Sequence, residues 1–544
     1  MNTIFKILEF DKIRENKLFF IGKIVFSLMI ALSFFLNSIE VFGHWHGATS
    51  NEAFFINAQP VNILLFFSVG LLTFFVVSIV GYIFGKFENK VFCNNNSRNK
   101  LFFFTNFIII LICWLPILLS YVPGGLFDDT MEIIMKFENG EQITNHHPLL
   151  FSYTLKVFMD LGKVFGDMNI GFVIFTVIQT IAMISSICYG LTWLYKIGIN
   201  KIILVFVNAF FAFFYLIPLY AVSIWKDTPF CIALLLFTIA ISKIVYSKGE
   251  LLTKFSGIVE FLALSLLVSF LRNNGIYVVI ITTLFMVIVF HKTLREKWLK
   301  QFGIILIEII LIVVVQGPVY KAFNLNTEFR ESVGIMIQQV CYVIKNDGNI
   351  GEEELEFINN IEKIDNIKVR YSPYNVDMIK YYEFNDKFLE ENKIKFIEIW
   401  FKLFFKNPEM YLKAYLLNTT GFWNLSRSEQ FSSKNYVYPV SIAANFYDNI
   451  WQANIFEMIT GKSLRKYINI DYSIVYSWFG AIILFSLLYT IKFKRYKNIL
   501  MYVPALATLL TIFIAVPIAF GMRYVFGLAL IMPFSLLFPI IEKK

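Results

Sequence analysis

Charge is the first thing this chain lacks. Of its 544 residues only 16% are Asp, Glu, Lys or Arg, against roughly 25% in ordinary soluble domains. Another 57% are hydrophobic, and Phe alone accounts for 62 residues. One aqueous core cannot bury that much apolar surface; in water it would form large exposed patches and aggregate. Lipid as the solvent removes the conflict. Cysteine is scarce too. Cys93, Cys113, Cys188, Cys231 and Cys341 show no metal-type spacing, and Cys341 alone falls in the larger outer segment defined below, which excludes an internal disulfide there. An envelope that does not rely on oxidative folding, such as that of a Gram-positive bacterium, suits this pattern. The Phe/Ile/Lys/Asn-rich composition suits an AT-rich genome. No Walker loop, dinucleotide fingerprint or nucleophile elbow occurs, which argues against an ATP-driven pump, and no internal repeat stands out.

What is present is a series of apolar runs. A bilayer span needs about 20 apolar residues. Candidates are 18–42, 61–85, 101–121, 170–195, 201–221, 228–246, 256–271, 274–291, 302–320, 472–491, 499–519 and 522–541. The first is too long for the core of a cleaved signal and follows residues of mixed charge, so it reads as a retained span. The formal net charge of +9 does not point to nucleic acid, because the basic residues cluster in short loops between spans. Lys86, Lys90, Arg98 and Lys100 follow one span, Lys292, Arg295, Lys297 and Lys300 another, Lys492, Lys494, Arg495 and Lys497 a third; the loop 43–60 has no Lys or Arg. With twelve spans every basic cluster falls on one side, and the positive-inside rule makes that side the cytoplasm.

The expected fold is therefore an all-α polytopic membrane protein with about twelve transmembrane helices in the cell membrane and both termini cytoplasmic. Two long segments lie outside: 122–169, within a transmembrane module spanning 1–320, and 321–471, a mostly helical extracytoplasmic domain between spans nine and ten. Residues 472–544 form the C-terminal transmembrane helices. Helical periodicity appears at Val333, Ile337, Val340 and Ile344 and again at Phe396, Trp400 and Phe404. Trp400, Phe404, Trp423 and Trp451 suit either interfacial anchoring or, more often for such residues, the domain core.

Residues able to carry chemistry collect on the outer side. In the first outer loop a Pro123-Gly124-Gly125 turn presents Asp128 and Asp129 just beyond a span end, followed by an amphipathic helix. Such carboxylates serve as a general base or hold a divalent cation such as Mg2+ or Mn2+. The spacing of Asp129 and Glu132 also matches a capping box, so Asp129 has a purely structural alternative. The loop ends in Asn145-His146-His147-Pro148, two of only five histidines; they suit orienting a carboxylate, binding substrate or metal, or merely preceding the next helix. Three further polar sites stand at outer span ends: Trp225-Lys226-Asp227, Arg272-Asn273-Asn274 and Gly521-Met522-Arg523-Tyr524. Lys226, Arg272 and Arg523 run against the positive-inside rule there, and a lipid phosphate is the anion they would meet at that depth.

The order and sidedness of these segments resemble the polytopic membrane glycosyltransferases of the GT-C type, and specifically a bacterial branch of them. The resemblance runs from about residue 101 to 525. It is carried by the Pro-Gly-x4-Asp-Thr segment ending in Asp129-Thr130, by Asn-His-His-Pro, by Trp225-Lys226-Asp227, by Arg272-Asn273-Asn274-Gly275 and by Asn407-Pro408 through Trp423. It implies transfer of a sugar from a polyprenyl-phosphate donor at the outer leaflet to an envelope lipid, glycopolymer or protein, with an outer-loop Asp as general base. The motif's Asp maps to Asp129; the adjacent Asp128 leaves two candidates. Lys226, Arg272 and Arg523 would bind the donor phosphate, with His146, His147, Asp227 and Asn273 as substrate or metal candidates. A transporter or flippase of lipid-linked sugars is the alternative, and it would more naturally show repeats and broken helices at the midplane. An envelope scaffold would be indifferent to both Asp residues.

Overall fold

The computed structural model describes residues 16–37, 60–87, 98–143, 147–295, 329–380, 383–425, 450–465 except 452, 476–519 and 521–542, with five isolated positions between 310 and 318. Most of the expected span 302–320, the loop residues 43–59 and His146 lie outside the described residues.

The chain is an all-α, multi-pass membrane protein. Its helices in order are α1 (Lys17–Asn37), α2 (Pro60–Phe87), α3 (Asn99–Ser120), α4 (Asp128–Glu138), α5 (Leu149–Val164), α6 (Met168–Lys196), α7 (Lys201–Phe213), α8 (Leu216–Ala221), α9 (Asp227–Tyr246), α10 (Phe255–Leu271) and α11 (Gly275–Arg295). Beyond them come α12 (Gly334–Lys345), α13 (Glu352–Ile361), α14 (Lys393–Lys406), α15 (Pro408–Trp423), α16 (Ile455–Thr460), α17 (Ser477–Lys492), α18 (Val503–Ala515) and α19 (Met522–Ser535), with shorter helical turns between. Seven helical stretches among the described residues are long and apolar enough to cross a bilayer. Lipid-facing Leu, Ile, Val and Phe cover α2 and α3, while α9 and α19 are enclosed on almost every face.

Two expected spans are broken near their C-terminal ends. The stretch 201–221 divides into α7 and α8 at Phe214, whose backbone is extended, ahead of Pro218. At about 1.5 Å per residue α7 is shorter than a hydrocarbon core of about 30 Å. The stretch 499–519 begins as a 3-10 helix over Tyr496–Tyr502, continues as α18, and turns extended at Val516 before Pro517. Backbone freed within lipid must find partners, and here it does. Thr228 Oγ1 donates to Tyr220 O at 3.0 Å, Trp114 Nε1 to Phe211 O at 3.0 Å, Tyr415 Oη to Phe513 O at 3.1 Å and Asn418 Nδ2 to Val516 O at 2.9 Å.

Residues 329–423 build a separate helical core around Val333, Ile337, Val340, Ile344, Phe396 and Leu403. The periodic positions read from the sequence are buried, except that Phe404 is 37% exposed and Trp400 lies at the core's edge, its Nε1 donating to Gln339 Oε1. Three glutamates occupy the first turn of α13, where the helix dipole favours negative charge. This unit sits on the bundle through backbone contacts: Ala519 N donates to Tyr374 O at 2.8 Å and Val376 N to Pro517 O at 3.0 Å. Residues 450–465 pack instead on the segment that runs from the end of α3 through α5. Val122 N donates to Ala453 O, Arg465 Nε to Ser120 O at 2.6 Å, and Ile450 joins the cluster around Leu126, Ile133, Phe151 and Phe172.

Candidate functional site

A two-residue parallel ladder sets the register of the site. β1 (Gly125–Leu126) pairs with β2 (Ser223–Ile224), Gly125 opposite Ser223 and Leu126 opposite Ile224. The residues that follow each strand are thereby aligned: Phe127 and Asp129 beside Trp225 and Lys226. Both loops are buried, so their backbone groups need partners, and one face of α6 supplies them. Thr176 Oγ1 donates to Pro123 O at 2.8 Å, and Gln179 Nε2 donates to Ala221 O and Ser223 O at 2.9 and 2.8 Å. Thr130 Oγ1 adds a 2.6 Å bond to Ile224 O. Gly124, at φ +146°, turns the chain into β1; a Cβ there would collide with Thr176 Oγ1 and the Ile224 side chain.

Asp129 is the hub. Its Oδ2 lies 3.0 Å from Lys226 Nζ, 3.1 Å from Arg523 Nη1 and 3.1 Å from Trp225 Nε1. The capping-box alternative is corrected here. The N-cap of α4 is Phe127, Asp129 lies inside the first turn, and its carboxylate turns away to these three donors. Glu132, the other half of that box, meets His147 and Lys136. Partial burial raises the Asp129 carboxyl, but Lys226, Arg523, His147 and the Trp225 N–H outweigh it and hold it well below the usual carboxylate range. Asp128 opens α4; its side chain lies outside the described residues.

The remaining candidates fall into two groups. His147 is fully buried, with Nδ1 3.1 Å from Lys226 Nζ and Nε2 3.3 Å from Glu132 Oε2. Its bond to His147 is the main cause that lowers Glu132 to about 2. Asp227, 1% exposed, forms a second ion pair: Arg272 Nη1 approaches Oδ1 at 2.9 Å without hydrogen-bond alignment. Aromatic rings connect the two groups. The Arg523 guanidinium carbon lies 4.8 Å from the ring centroids of both Trp225 and Tyr524, and that of Arg272 lies 5.1 Å from Tyr524 and 5.5 Å from Phe230. Phe127 stacks on Trp225 at 4.0 Å. Two guanidinium groups therefore share one tyrosine ring, and each is matched by one aspartate. Asn273 is exposed at the α10–α11 turn, whereas its neighbour Asn274 reaches Thr511 Oγ1 at 3.1 Å.

Asp129, Lys226, Arg523 and His147 thus converge from four separate segments, with Asp227 and Arg272 alongside. The sequence reading singled out the segments holding Trp225 and Tyr524 but gave those two residues no role, and it missed the supporting Thr176, Gln179 and Thr180, whose Oγ1 donates to Ala221 O at 3.3 Å. A signal existed for the last three: polar side chains at i, i+3 and i+4 on an otherwise apolar span. Among the described residues no group of three or more His, Cys, Asp and Glu comes together to hold a metal ion.

A family model matches residues 135–544, about three quarters of the chain. The chain belongs to DUF6020, a family of unknown function. The matched region takes in His147, Lys226, Asp227, Arg272 and Arg523 and begins just after Asp129 and Glu132. No curated protein and no solved structure matches the chain.

Proposed function

We propose that this chain is a GT-C-type glycosyltransferase of a bacterial cell membrane. In this reading it has about twelve spans, cytoplasmic termini and an extracytoplasmic 321–471 domain. It moves a sugar from a polyprenyl-phosphate donor to an envelope lipid, glycopolymer or protein acceptor on the outer face. The observation that carries the reading is the Asp129 hub: one carboxylate oxygen within 3.1 Å of a lysine, an arginine and an indole N–H. A carboxylate thus stands within 3.1 Å of two cations, and the carboxylate lies on the loop where the resemblance expects the base.

The chemistry follows from competition for those cations. A donor phosphate entering the site draws Lys226 and Arg523 away from Asp129, binding Arg523 through two N–H groups and Lys226 as a point charge. Asp129 then loses the two positive charges that suppress its basicity. The acceptor hydroxyl oxygen bonds to the anomeric carbon, the bond from that carbon to the phosphate oxygen breaks, and polyprenyl phosphate leaves with the electron pair. The hydroxyl proton passes to Asp129, and the guanidinium and ammonium groups stabilise the charge on the departing phosphate. Arg272, held by Asp227 and the Tyr524 ring, is a further cation for the same anion.

A divalent cation would have to displace Lys226, Arg523 and Trp225 from Asp129 before binding it, so the carboxylate as arranged does not fit a metal.

The test is sugar transfer by membranes containing the wild type, Asp128→Asn, Asp129→Asn and the double variant at matched surface levels. Each is supplied with a panel of labelled polyprenyl-phosphate sugars. Asp129→Asn is expected to lose transfer by a factor on the order of 10²–10⁴ while still binding donor. Movement of lipid-linked sugar between leaflets without transfer would replace this reading with a flippase.

A further inference from the structure

We infer that Glu132 and His147 are positioning residues that hold the Lys226 ammonium at a fixed point beside Asp129. The inference deepens the reading of Lys226 as a phosphate-binding cation and rests on it. The argument starts from what each group can donate. An ammonium carries only donors, so the ring nitrogen it approaches at 3.1 Å, His147 Nδ1, must accept. A neutral imidazole with a bare Nδ1 carries its hydrogen on Nε2. That hydrogen meets a matching acceptor in Glu132 Oε2 at 3.3 Å. The other oxygen of Glu132 is engaged by Lys136, one helical turn along α4. The carboxylate therefore sets the tautomer, and the tautomer sets the lysine.

The chain of contacts runs Lys136, Glu132, His147, Lys226, Asp129, Arg523, drawn from α4, the loop before α5, the residue before α9 and the start of α19. Lys226 Nζ donates to His147 Nδ1 and lies 3.0 Å from Asp129 Oδ2 as an ion pair. When a phosphate draws the ammonium from Asp129, the His147 bond remains as a pivot, so the flexible lysine stem does not have to search for its position.

The same line of atoms does not suit proton export. Moving a proton from an ordinary lysine, at roughly 10.4, to an ordinary histidine, at roughly 6.5, is uphill by about 10⁴ in equilibrium. The next acceptor, Glu132, is weaker still, lowered to about 2. The line is a brace.

The full-length protein in lipid bilayers, labelled with 15N-histidine, tests this without any assay of transfer. The His147→Asn spectrum identifies the His147 signals, and the other histidines report that each variant is folded. At neutral pH His147 is expected to show a protonated Nε2 and a bare Nδ1. Its protonation constant should rise at least tenfold in Lys226→Met, which removes a neighbouring cation, and fall at least tenfold in Glu132→Gln. A hydrogen on Nδ1, or a constant unchanged in both variants, overturns the inference. In transfer assays His147→Leu should raise the donor KM about tenfold, with kcat changed much less; His147→Asn, which returns an acceptor near the Nδ1 position, should recover part of the loss. A fall confined to kcat overturns the positioning role even if the tautomer is as expected. Inactive wild type would remove the phosphate reading of Lys226 and leave the spectroscopic result to decide the brace alone.

Discussion

Trp225 Nε1 donates to Asp129 Oδ2 over 3.1 Å, joining residues 96 positions apart in the chain. The indole is fixed on one side by the stacked Phe127 ring and carries the Arg523 guanidinium 4.8 Å from its ring centroid. One side chain thus orients both the carboxylate and a cation that neutralises it.

Replacing Trp225 with Phe keeps a ring between Phe127 and Arg523 and removes only the N–H. A hydrogen bond to a charged group contributes about 1.5–3 kcal/mol, so kcat is expected to fall by roughly ten- to a hundredfold at unchanged surface level. Trp225→Leu, which also loses the stacking, should fall further and reduce the amount of folded protein. Transfer kinetics beside surface labelling check both, and a Phe variant equal to wild type would show that the indole N–H is not used.

Gly124→Ala tests the turn that presents the hub. The new methyl group meets Thr176 and Ile224 at a backbone angle of +146°, and strain of this kind costs about 1–3 kcal/mol. Thermal unfolding should show that loss together with a large drop in transfer. Gly140→Ala is the control: its φ is +68°, but nothing lies within 4 Å of the added carbon. It should lose stability without a matching loss of transfer.

Acid should weaken the brace through Glu132. Its folded-state value, about 2, lies below the ordinary 4.5. A group lowered by folding stabilises above its unfolded value and loses that contribution as pH falls toward the folded one. Unfolding temperature measured from neutral pH downward should therefore fall between 4.5 and about 2 in the wild type. Glu132→Gln should start less stable and show a shallower slope in the same window.

Chelation separates side-chain cations from a metal ion. With Asp129 held by Lys226, Arg523 and Trp225, EDTA is expected to leave transfer within about twofold of the untreated rate, well inside the tenfold per 1.36 kcal/mol scale of a lost catalytic group. Recovery of an EDTA-sensitive rate by Mg2+ or Mn2+ would reject that expectation.

Much of this was legible in the sequence, for physical reasons. Apolar runs mark spans because the hydrocarbon core requires them. Lys226 and Arg523 stood out because the topology read from the loop charges puts them at span ends where the insertion bias disfavours basic residues. What the sequence hid depends on chain geometry. The break between α7 and α8 lies in an apolar stretch whose only local signal is Pro218. The pairing of Gly125 with Ser223 has no local signal at all, since a two-residue ladder has no period to read. Asp129 looked like a helix cap because its spacing from Glu132 fits a capping box, and only the three-dimensional positions of Lys226, Arg523 and His147 give the two carboxylates other work. Residues 450–465, expected to belong with the 321–471 domain, pack on the end of α3 and the chain that follows it through Arg465 and Ala453, contacts that their composition does not announce.

The bond between Arg523 and Asp129 spans 394 positions of the chain. Asp129 emerges from the ribosome early, and Arg523 enters the membrane with the last described long helix, α19. For most of its synthesis the protein therefore carries a hub with one cation missing, and Tyr524, which both guanidinium groups share, arrives at the same late moment. A chain cut short anywhere before α19 can insert its earlier helices and still hold an unfinished site. Completion of the site thus coincides with completion of the fold.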